Sequence, residues 1–150
     1  MAGARHFSQL IAWQLADALR VAILELTHKE PFARDWKFRR QVEDASDSVC
    51  RNIAEGFGSD RHKHFAWYLR VSRSSLNELR DALRSVLLKG YATPADLAAV
   101  HSLIRRLQPC LNKLIRYLDS TPDLPQSQPH TERPKPPSTD QPKAPRTDKR

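Results

Sequence analysis

Cysteine is scarce in this sequence. Only two of the 150 residues are cysteines, Cys50 and Cys110, and they lie sixty positions apart, each in an apolar pattern and outside any C-x-x-C pair. Nothing therefore indicates a disulfide framework or a cysteine-based metal site. We expect two small core residues in a protein of a reducing compartment, the cytoplasm.

Long uninterrupted apolar runs are also missing. The apolar stretch before residue 30 is broken by Gln14, Asp17 and Arg20, and no small-residue cleavage site follows it. This pattern excludes a membrane span and a secretory signal. We therefore expect no membrane partner.

The common catalytic motifs do not occur. There is no H-E-x-x-H, G-x-x-x-x-G-K-[ST], G-x-G-x-x-G or G-x-S-x-G. His62 and His64 are two positions apart on a predicted helix, so their side chains diverge by about 200° and do not share a metal. No arginine has a histidine at the spacing that one superfamily of helical nucleases uses. The adjacent carboxylates Glu43 and Asp44 are expected on an exposed helical face. We expect no enzyme activity, no metal and no cofactor.

Residues 121–150 have the composition of a disordered tail. They hold eight of the 11 prolines, one leucine and no aromatic residue. Such a segment buries too little apolar surface to offset the entropy of ordering. We expect the folded domain to comprise residues 1–120.

Four segments have helical periodicity, and nothing indicates a strand. They are residues 7–28, 34–55, 60–88 and a fourth that begins at Thr93 and runs to Leu118. In the third segment the predicted core stripe is Phe65, Leu69, Ser72, Leu76, Leu79, Leu83 and Val86. In the fourth it is Leu97, Val100, Ile104, Leu107, Leu111, Leu114 and Leu118. Both stripes alternate at steps of four and three, the spacing of helices that pack in bundles. Because the connections are short, the sequence predicts an all-α, up-down-up-down antiparallel four-helix bundle.

The fourth helix has clear local signals. Thr93, Pro94 and Asp96 predict its N-cap, its first helical residue and an acidic first turn. Pro109 lies inside it and is expected to kink or split it, because proline removes a backbone hydrogen bond and clashes with the preceding turn.

The first helix has more apolar surface than one partner layer needs. Fourteen of the 20 positions from Phe7 to Leu26 are apolar. In the third helix a basic stripe flanks the core on one side, and its members are Arg70, Arg73, Asn77, Arg80 and Arg84. Glu78 and Asp81 lie on the other side. Flanks of opposite sign suit a head-to-tail contact between copies, with the first helix supplying the buried part. We expect a homo-oligomer; the alternative is a solvated face with ordinary ion pairs.

The charge balance favours polyanionic partners. The formal net charge is +8, of which residues 1–120 carry +6, and the pI is near 9.9. The run R-H-K-H at residues 61–64 is interpreted as a solvated or phosphate-facing helix start. The predicted nucleic-acid-binding residues are Arg61, Lys63, Arg70, Arg73, Arg80 and Arg84, and Arg105, Arg106, Lys113 and Arg116 are further candidates for phosphate contacts.

A specific motif spans residues 52–80. Its members are Asn52, Glu55, Gly56, Gly58, Phe65, Tyr68, Leu69, Ser72, Ser75, Glu78 and Leu79. The motif resembles that of a family of small four-helix-bundle proteins first noted as open reading frames in intervening sequences of bacterial 23S ribosomal RNA genes. The resemblance extends over residues 7–119.

We interpret the motif as structural. Gly56 or Gly58 is expected to adopt the left-handed conformation that closes the second helix. Ser59 or Asp60 is expected to cap the third helix. Ser59 also stands where the family often has a basic residue.

The resemblance implies a homopentameric ring, similar to the accessory variability proteins of diversity-generating retroelements, which bind nucleic acid and a reverse transcriptase. It carries over no catalytic residues. The first hypothesis is a non-enzymatic, oligomeric accessory protein that binds RNA or DNA, chiefly structured RNA, through its basic surface. The alternative is a protein-interaction scaffold for a reverse transcriptase or other polymerase.

Overall fold

Four α-helices make up most of the chain. The computed structural model describes residues 3–123, and the proline-rich segment from residue 124 onward lies outside them. Single turns of 3-10 helix precede the first two helices, at Phe7–Gln9 and Phe32–Arg34. The helices are α1 (Ile11–Thr27), α2 (Trp36–Phe57), α3 (His62–Leu88) and α4 (Ala98–Ser120). Within residues 3–123 there is no strand, so the predicted all-α class is confirmed. In this range no helix is long and apolar enough to cross a membrane.

The apolar stripes of the four helices meet in one core. The helix pairs in contact are α1 with α2, α2 with α3, α3 with α4, and α1 with α4. The predicted stripe of α3 is buried throughout, with Leu69, Leu76 and Leu79 fully inaccessible. In α4 the predicted stripe is buried at every position except Leu114, and Leu118 at its end is buried as predicted. Leu114 is only partly buried, while its neighbour Ile115 is buried. The 3.5-residue repeat therefore identified the core residues, except that the buried position near the end of α4 is Ile115 in place of Leu114.

The two cysteines differ in burial. Cys50 is buried in α2 and Cys110 is partly buried in α4. Burial raises the pKa of Cys50 to about 11 and raises the pKa of Cys110 as well, so both are neutral thiols at pH 7.

Small polar residues line the contact between α2 and α3. Ser72 Oγ donates a hydrogen bond to the carbonyl of Val49 at 2.8 Å, and the hydroxyls of Ser48 and Ser75 are 2.9 Å apart. Asn52 Nδ2 donates to the carbonyl of Ser48 at 2.7 Å. We call Ser48, Asn52, Ser72 and Ser75 the polar seam; it keeps buried polar groups paired while the helices approach closely.

The expected left-handed glycine between α2 and α3 is wrong. Gly58 has φ −73° and ψ −1°, in the right-handed region, and Gly90 after α3 is the one residue of positive φ within residues 3–123. Gly56 is required for space instead: a Cβ there would lie 2.7 Å from both Phe65 Cδ2 and Tyr68 Cβ. The glycine lets the end of α2 touch the start of α3.

The predicted cap of α3 is also wrong. Neither Ser59 nor Asp60 caps the helix, which begins at His62. The backbone N–H of His62 donates to Asp123 Oδ1 at 2.6 Å, and His62 Nδ1 donates to the carbonyl of Thr121 at 3.1 Å. The chain after α4 therefore caps α3, a contact between residues far apart in sequence.

The start of α4 differs from its prediction by a few residues. Thr93 and Asp96 do bond each other reciprocally, through Thr93 N–H to Asp96 Oδ2 at 2.7 Å and Asp96 N–H to Thr93 Oγ1 at 3.2 Å. This turn precedes the regular helix, which begins at Ala98. Pro109 does not split α4, which runs unbroken to Ser120.

Glu43 is not on an open face as predicted. Its side chain is only 18% exposed, and Thr27 Oγ1 donates to its Oε1 at 2.6 Å. Arg39 Nε lies 3.6 Å from the same oxygen. Glu43 therefore ties α2 to the end of α1.

Asp35 joins the start of α2 to the chain after α3. It accepts hydrogen bonds from Tyr91 OH at 2.8 Å, from the N–H of Phe38 at 3.2 Å and from Lys89 Nζ at 3.3 Å. The bond from Tyr91, then that from Phe38, lowers the pKa of Asp35. Phe32 stacks on both Phe38 and Tyr91 beside it, with ring centroids 5.6 and 5.1 Å apart.

The contact at Gly56 predicts a destabilising substitution. Alanine in a helix interior normally stabilises a protein by about 1 kcal/mol relative to glycine. At position 56, however, the added methyl group would overlap Phe65 and Tyr68, and such overpacking costs about 1–3 kcal/mol of stability. We therefore expect Gly56→Ala to lower the free energy of unfolding in urea. The matched control is Gly58→Ala, whose Cβ would meet only the Glu55 carbonyl at 3.5 Å. Equal stability of Gly56→Ala and wild type would contradict this account.

The Asp35 contacts predict a pH-dependent contribution to stability. Because its pKa is lowered in the fold, the stabilisation is present above the ordinary value of 3.8 and is lost as the pH falls through the lower, folded value. Asp35→Asn should therefore be less stable than wild type at pH 7, and the difference in urea midpoint should shrink below about pH 4. Asp60→Asn controls for the removal of one exposed carboxylate. A difference that is constant from pH 7 to pH 3 would refute the assignment.

Candidate nucleic-acid interface

The basic stripe of α3 faces α4. Arg73 Nη1 donates to Asn112 Oδ1 at 3.0 Å, and Arg70 Nη2 donates to Asp119 Oδ2 at 2.6 Å. Arg73 is partly buried, whereas the Arg70 side chain is 42% exposed. The sequence did not indicate a partner for Arg70, which forms an ion pair with Asp119.

Helix periodicity extends this face along both α3 and α4. Arg80 follows Arg73 by one heptad, and Arg105 precedes Asn112 by one heptad, so each returns to the same face with a drift of only about 20°. Arg84 and Arg116 fall within about 40° of the same two directions. We call this set the arginine surface: Arg70, Arg73, Arg80 and Arg84 of α3 with Arg105 and Arg116 of α4.

Most of the arginine surface is open to solvent. Arg80, Arg84, Arg105 and Arg116 are all exposed. Within residues 3–123, the one carboxylate that forms an ion pair with any member of the set is Asp119. The surface therefore offers several cations to an anionic ligand.

Two of the further candidates lie elsewhere on α4. Arg106 and Lys113 are exposed but are turned by about 100–120° from the direction of Asn112. They are not part of the arginine surface. The sequence had suggested all four residues, Arg105, Arg106, Lys113 and Arg116, as candidates for phosphate contacts.

Arg61 and Lys63 lie at the start of α3, and both are exposed. The neighbouring histidines, His62 and His64, have different hydrogen-bond partners. His62 bonds the chain after α4, as described above, and His64 Nδ1 is hydrogen-bonded to Ser59 Oγ at 2.9 Å. Lys63 shares a helical face with Arg70, and thus lies at one end of the arginine surface.

The motif residues divide between interior and surface. Asn52, Gly56, Phe65, Leu69 and Ser75 are buried at the α2–α3 contact. Ser72 and Leu79 are buried as well, and Tyr68 is partly buried. The other three motif residues, Glu55, Gly58 and Glu78, are exposed.

Comparison with known protein families gives one match. The family described as 23S rRNA-intervening sequence protein matches residues 8–113. The chain belongs to that family. A comparison with the curated proteins found no match. The family match extends from the turn before α1 into α4 and so includes most of the arginine surface.

The sequence did not reveal that two residues of α4, Asn112 and Asp119, accept hydrogen bonds from arginines of α3. Asn112 directly follows the core residue Leu111, just as Arg73 directly follows Ser72. This shared position beside the core was a usable signal that the two side chains flank the same helix contact. The exposed Trp67 was also missed, although it lies four residues after Lys63 and three before Arg70.

Proposed function

We propose that this protein is a non-enzymatic, oligomeric accessory protein that binds structured RNA through the arginine surface. The observation that supports this proposal is the pair of hydrogen bonds from Arg73 to Asn112 and from Arg70 to Asp119, which set the arginines of α3 beside those of α4. Guanidinium groups suit phosphate oxygens because they donate in a fixed, bidentate geometry. The family's association with 23S rRNA genes is compatible with an RNA-related role.

The proposal includes an up-down-up-down, antiparallel arrangement of the helices. Thr27 at the end of α1 bonds Glu43 in the first half of α2, and Arg70 in the first half of α3 bonds Asp119 near the end of α4. In this arrangement Arg80 lies opposite Arg105. The two helices would then present a double row of cations to one phosphate backbone.

Binding of this kind is largely independent of sequence. Arginine contacts to phosphate release condensed counterions and make affinity fall steeply with salt. The repetition of the surface around an oligomer increases the effective affinity without new contacts within each copy. We place the protein in the cytoplasm, where RNA is accessible.

The proposed oligomer is a homopentameric ring, and the exposed face of α1 supports self-association. Val21 and Leu24 are 48% and 40% exposed, although both are large apolar residues, and they point within about 60° of each other on the helix. An apolar helix face open to water is typical of an interface between subunits. A cyclic contact would bury this face and collect the arginine surfaces of all copies on one assembly.

A scaffold for a reverse transcriptase, as in diversity-generating retroelements, is the second candidate. It is favoured by an open apolar groove of about 440 Å³ between the start of α1 and the end of α4, lined by Leu10, Ile11, Cys110, Leu114 and Tyr117 among others. Tyr117 is 59% exposed there. Such a groove is suited to a protein partner more than to a phosphate backbone.

The arginine surface predicts a specific loss of RNA affinity. We expect the double variant Arg80→Ala/Arg84→Ala to bind structured RNA more weakly and to lower the steepness of the log-log salt dependence by about 1–2, because each phosphate contact contributes about one. The matched control is Arg40→Ala/Arg51→Ala, which removes the same charge from two exposed arginines of α2.

Filter binding at several salt concentrations measures both quantities. Equal losses in the two double variants would show that net charge alone matters and would refute the arginine surface. If wild-type protein binds no RNA even at low salt but captures a polymerase encoded beside it, the scaffold replaces the first candidate.

The exposed face of α1 predicts an oligomer that a single charge disrupts. Val21→Glu places a carboxylate in the buried part of the proposed contact, so the mass measured by light scattering should fall toward that of one chain. The control is Leu88→Glu, because Leu88 is 79% exposed at the end of α3 and away from α1. A wild-type protein that is monomeric at all concentrations would rule out the ring.

A further inference from the structure

Three aromatic side chains form a patch near the start of α3. The ring centroids of Trp67 and Tyr68 are 5.0 Å apart with an interplanar angle of 78°, and those of His64 and Tyr68 are 5.1 Å apart. Trp67 is 54% exposed and His64 is also exposed. We call these residues the aromatic patch. Because Trp67 meets its neighbour edge to face, the indole can still offer a face to a ligand.

The aromatic patch is held in place by the turn between α2 and α3. Tyr68 OH donates to Glu55 Oε1 at 3.2 Å, and Ser59 Oγ is 2.9 Å from His64 Nδ1. Gly56 leaves room for the Tyr68 side chain, whose Cβ a larger residue would strike. Two of the three rings, His64 and Tyr68, are therefore held by hydrogen bonds, which reduces the entropy lost on binding.

Cations flank the exposed tryptophan on its own helix face. Lys63 precedes Trp67 by four residues and Arg70 follows it by three, so all three side chains are neighbours. Lys63 and Arg70 are both exposed. A flat aromatic surface between two cations matches a nucleotide, which has a flat base and a charged phosphate.

We propose that His64, Trp67 and Tyr68 form a stacking site for an unpaired base of single-stranded RNA, with Lys63 and Arg70 contacting the adjoining phosphates. This inference rests on the proposed function and adds to it a preference for unpaired segments within structured RNA. Bases in a duplex are already stacked and are not accessible to an indole on a protein surface. The arginine surface needs only phosphates, whereas the aromatic patch needs a free base.

Trp36 supplies a matched control. It is 64% exposed and also lies near cations, Lys37 and Arg40. Trp36 lines an open groove on the surface, and this groove also contains the carboxylates of Asp44 and Glu78. Unlike Trp67, Trp36 pairs with no other aromatic ring within residues 3–123. The two tryptophans thus differ in ring partners and nearby charge more than in exposure.

The test compares a short labelled oligouridine with an RNA duplex of the same length, titrated at one salt concentration into the full chain. We expect Trp67→Ala to bind the single strand roughly 5- to 100-fold more weakly, while its affinity for the duplex changes less than about twofold. Trp67→Phe should retain most of the affinity because it keeps a stacking face. Trp36→Ala should bind both RNAs like wild type.

Several outcomes would overturn the stacking site. These are unchanged single-strand binding by Trp67→Ala, an equal loss for both RNAs, and an equal loss in Trp36→Ala. A lower mass of Trp67→Ala in light scattering would mean that a second copy covers the tryptophan, which also overturns it.

The failure of the inference is distinguishable from that of the proposed function. If wild type binds the duplex with steep salt dependence and Trp67→Ala changes nothing, only the stacking site is refuted. If wild type binds neither RNA at low salt, both proposals are refuted. In the double variant Trp13→Phe/Trp36→Phe, Trp67 is the one tryptophan left in the sequence. Quenching of its fluorescence by the single strand but not by the duplex gives an independent positive result.

Discussion

The close approach of α2 and α3 at Gly56 is the constraint on which the remaining structure depends. No side chain larger than hydrogen fits there, because Phe65 Cδ2 and Tyr68 Cβ already occupy the space of a Cβ. The same approach brings Ser72 to the Val49 carbonyl and Ser48 to Ser75, so the polar seam is satisfied only at this separation. With α3 fixed against α2, the opposite flank of α3 meets α4, and its arginines acquire the partners Asn112 and Asp119.

Periodicity in the sequence was enough to identify the helices and the core. The steps of four and three in α3 correctly marked Leu69, Leu76 and Leu79 as buried, because a sustained repeat can satisfy only one helix face. The role of Gly56 was not predictable in the same way. A glycine near a helix end has two physical uses, positive φ and close packing, and only the position of the neighbouring helix distinguishes them.

Long-range partners limited the prediction of the candidate site. The sequence marked Arg70, Arg73, Arg80 and Arg84 as one stripe, but the stripe's direction depends on which helix packs beside it. The cap of α3 shows the same limit. The Asp123 carboxylate reaches the N–H of His62 across the fold, and local rules for capping consider only residues next to the helix start.

The Asp119 carboxylate near the end of α4 makes the members of the arginine surface unequal. Asp119 accepts a charge-assisted hydrogen bond from Arg70, so a phosphate oxygen that binds Arg70 must replace an existing partner. Arg80 and Arg84 form no ion pair within residues 3–123, so a phosphate there replaces only water. Under the proposed function, the free energy gained per phosphate is therefore larger at Arg80 and Arg84 than at Arg70. If Trp67 also stacks on a base as proposed, the end of the surface near Asp119 gains affinity from stacking in addition to charge, whereas the far end depends on charge alone.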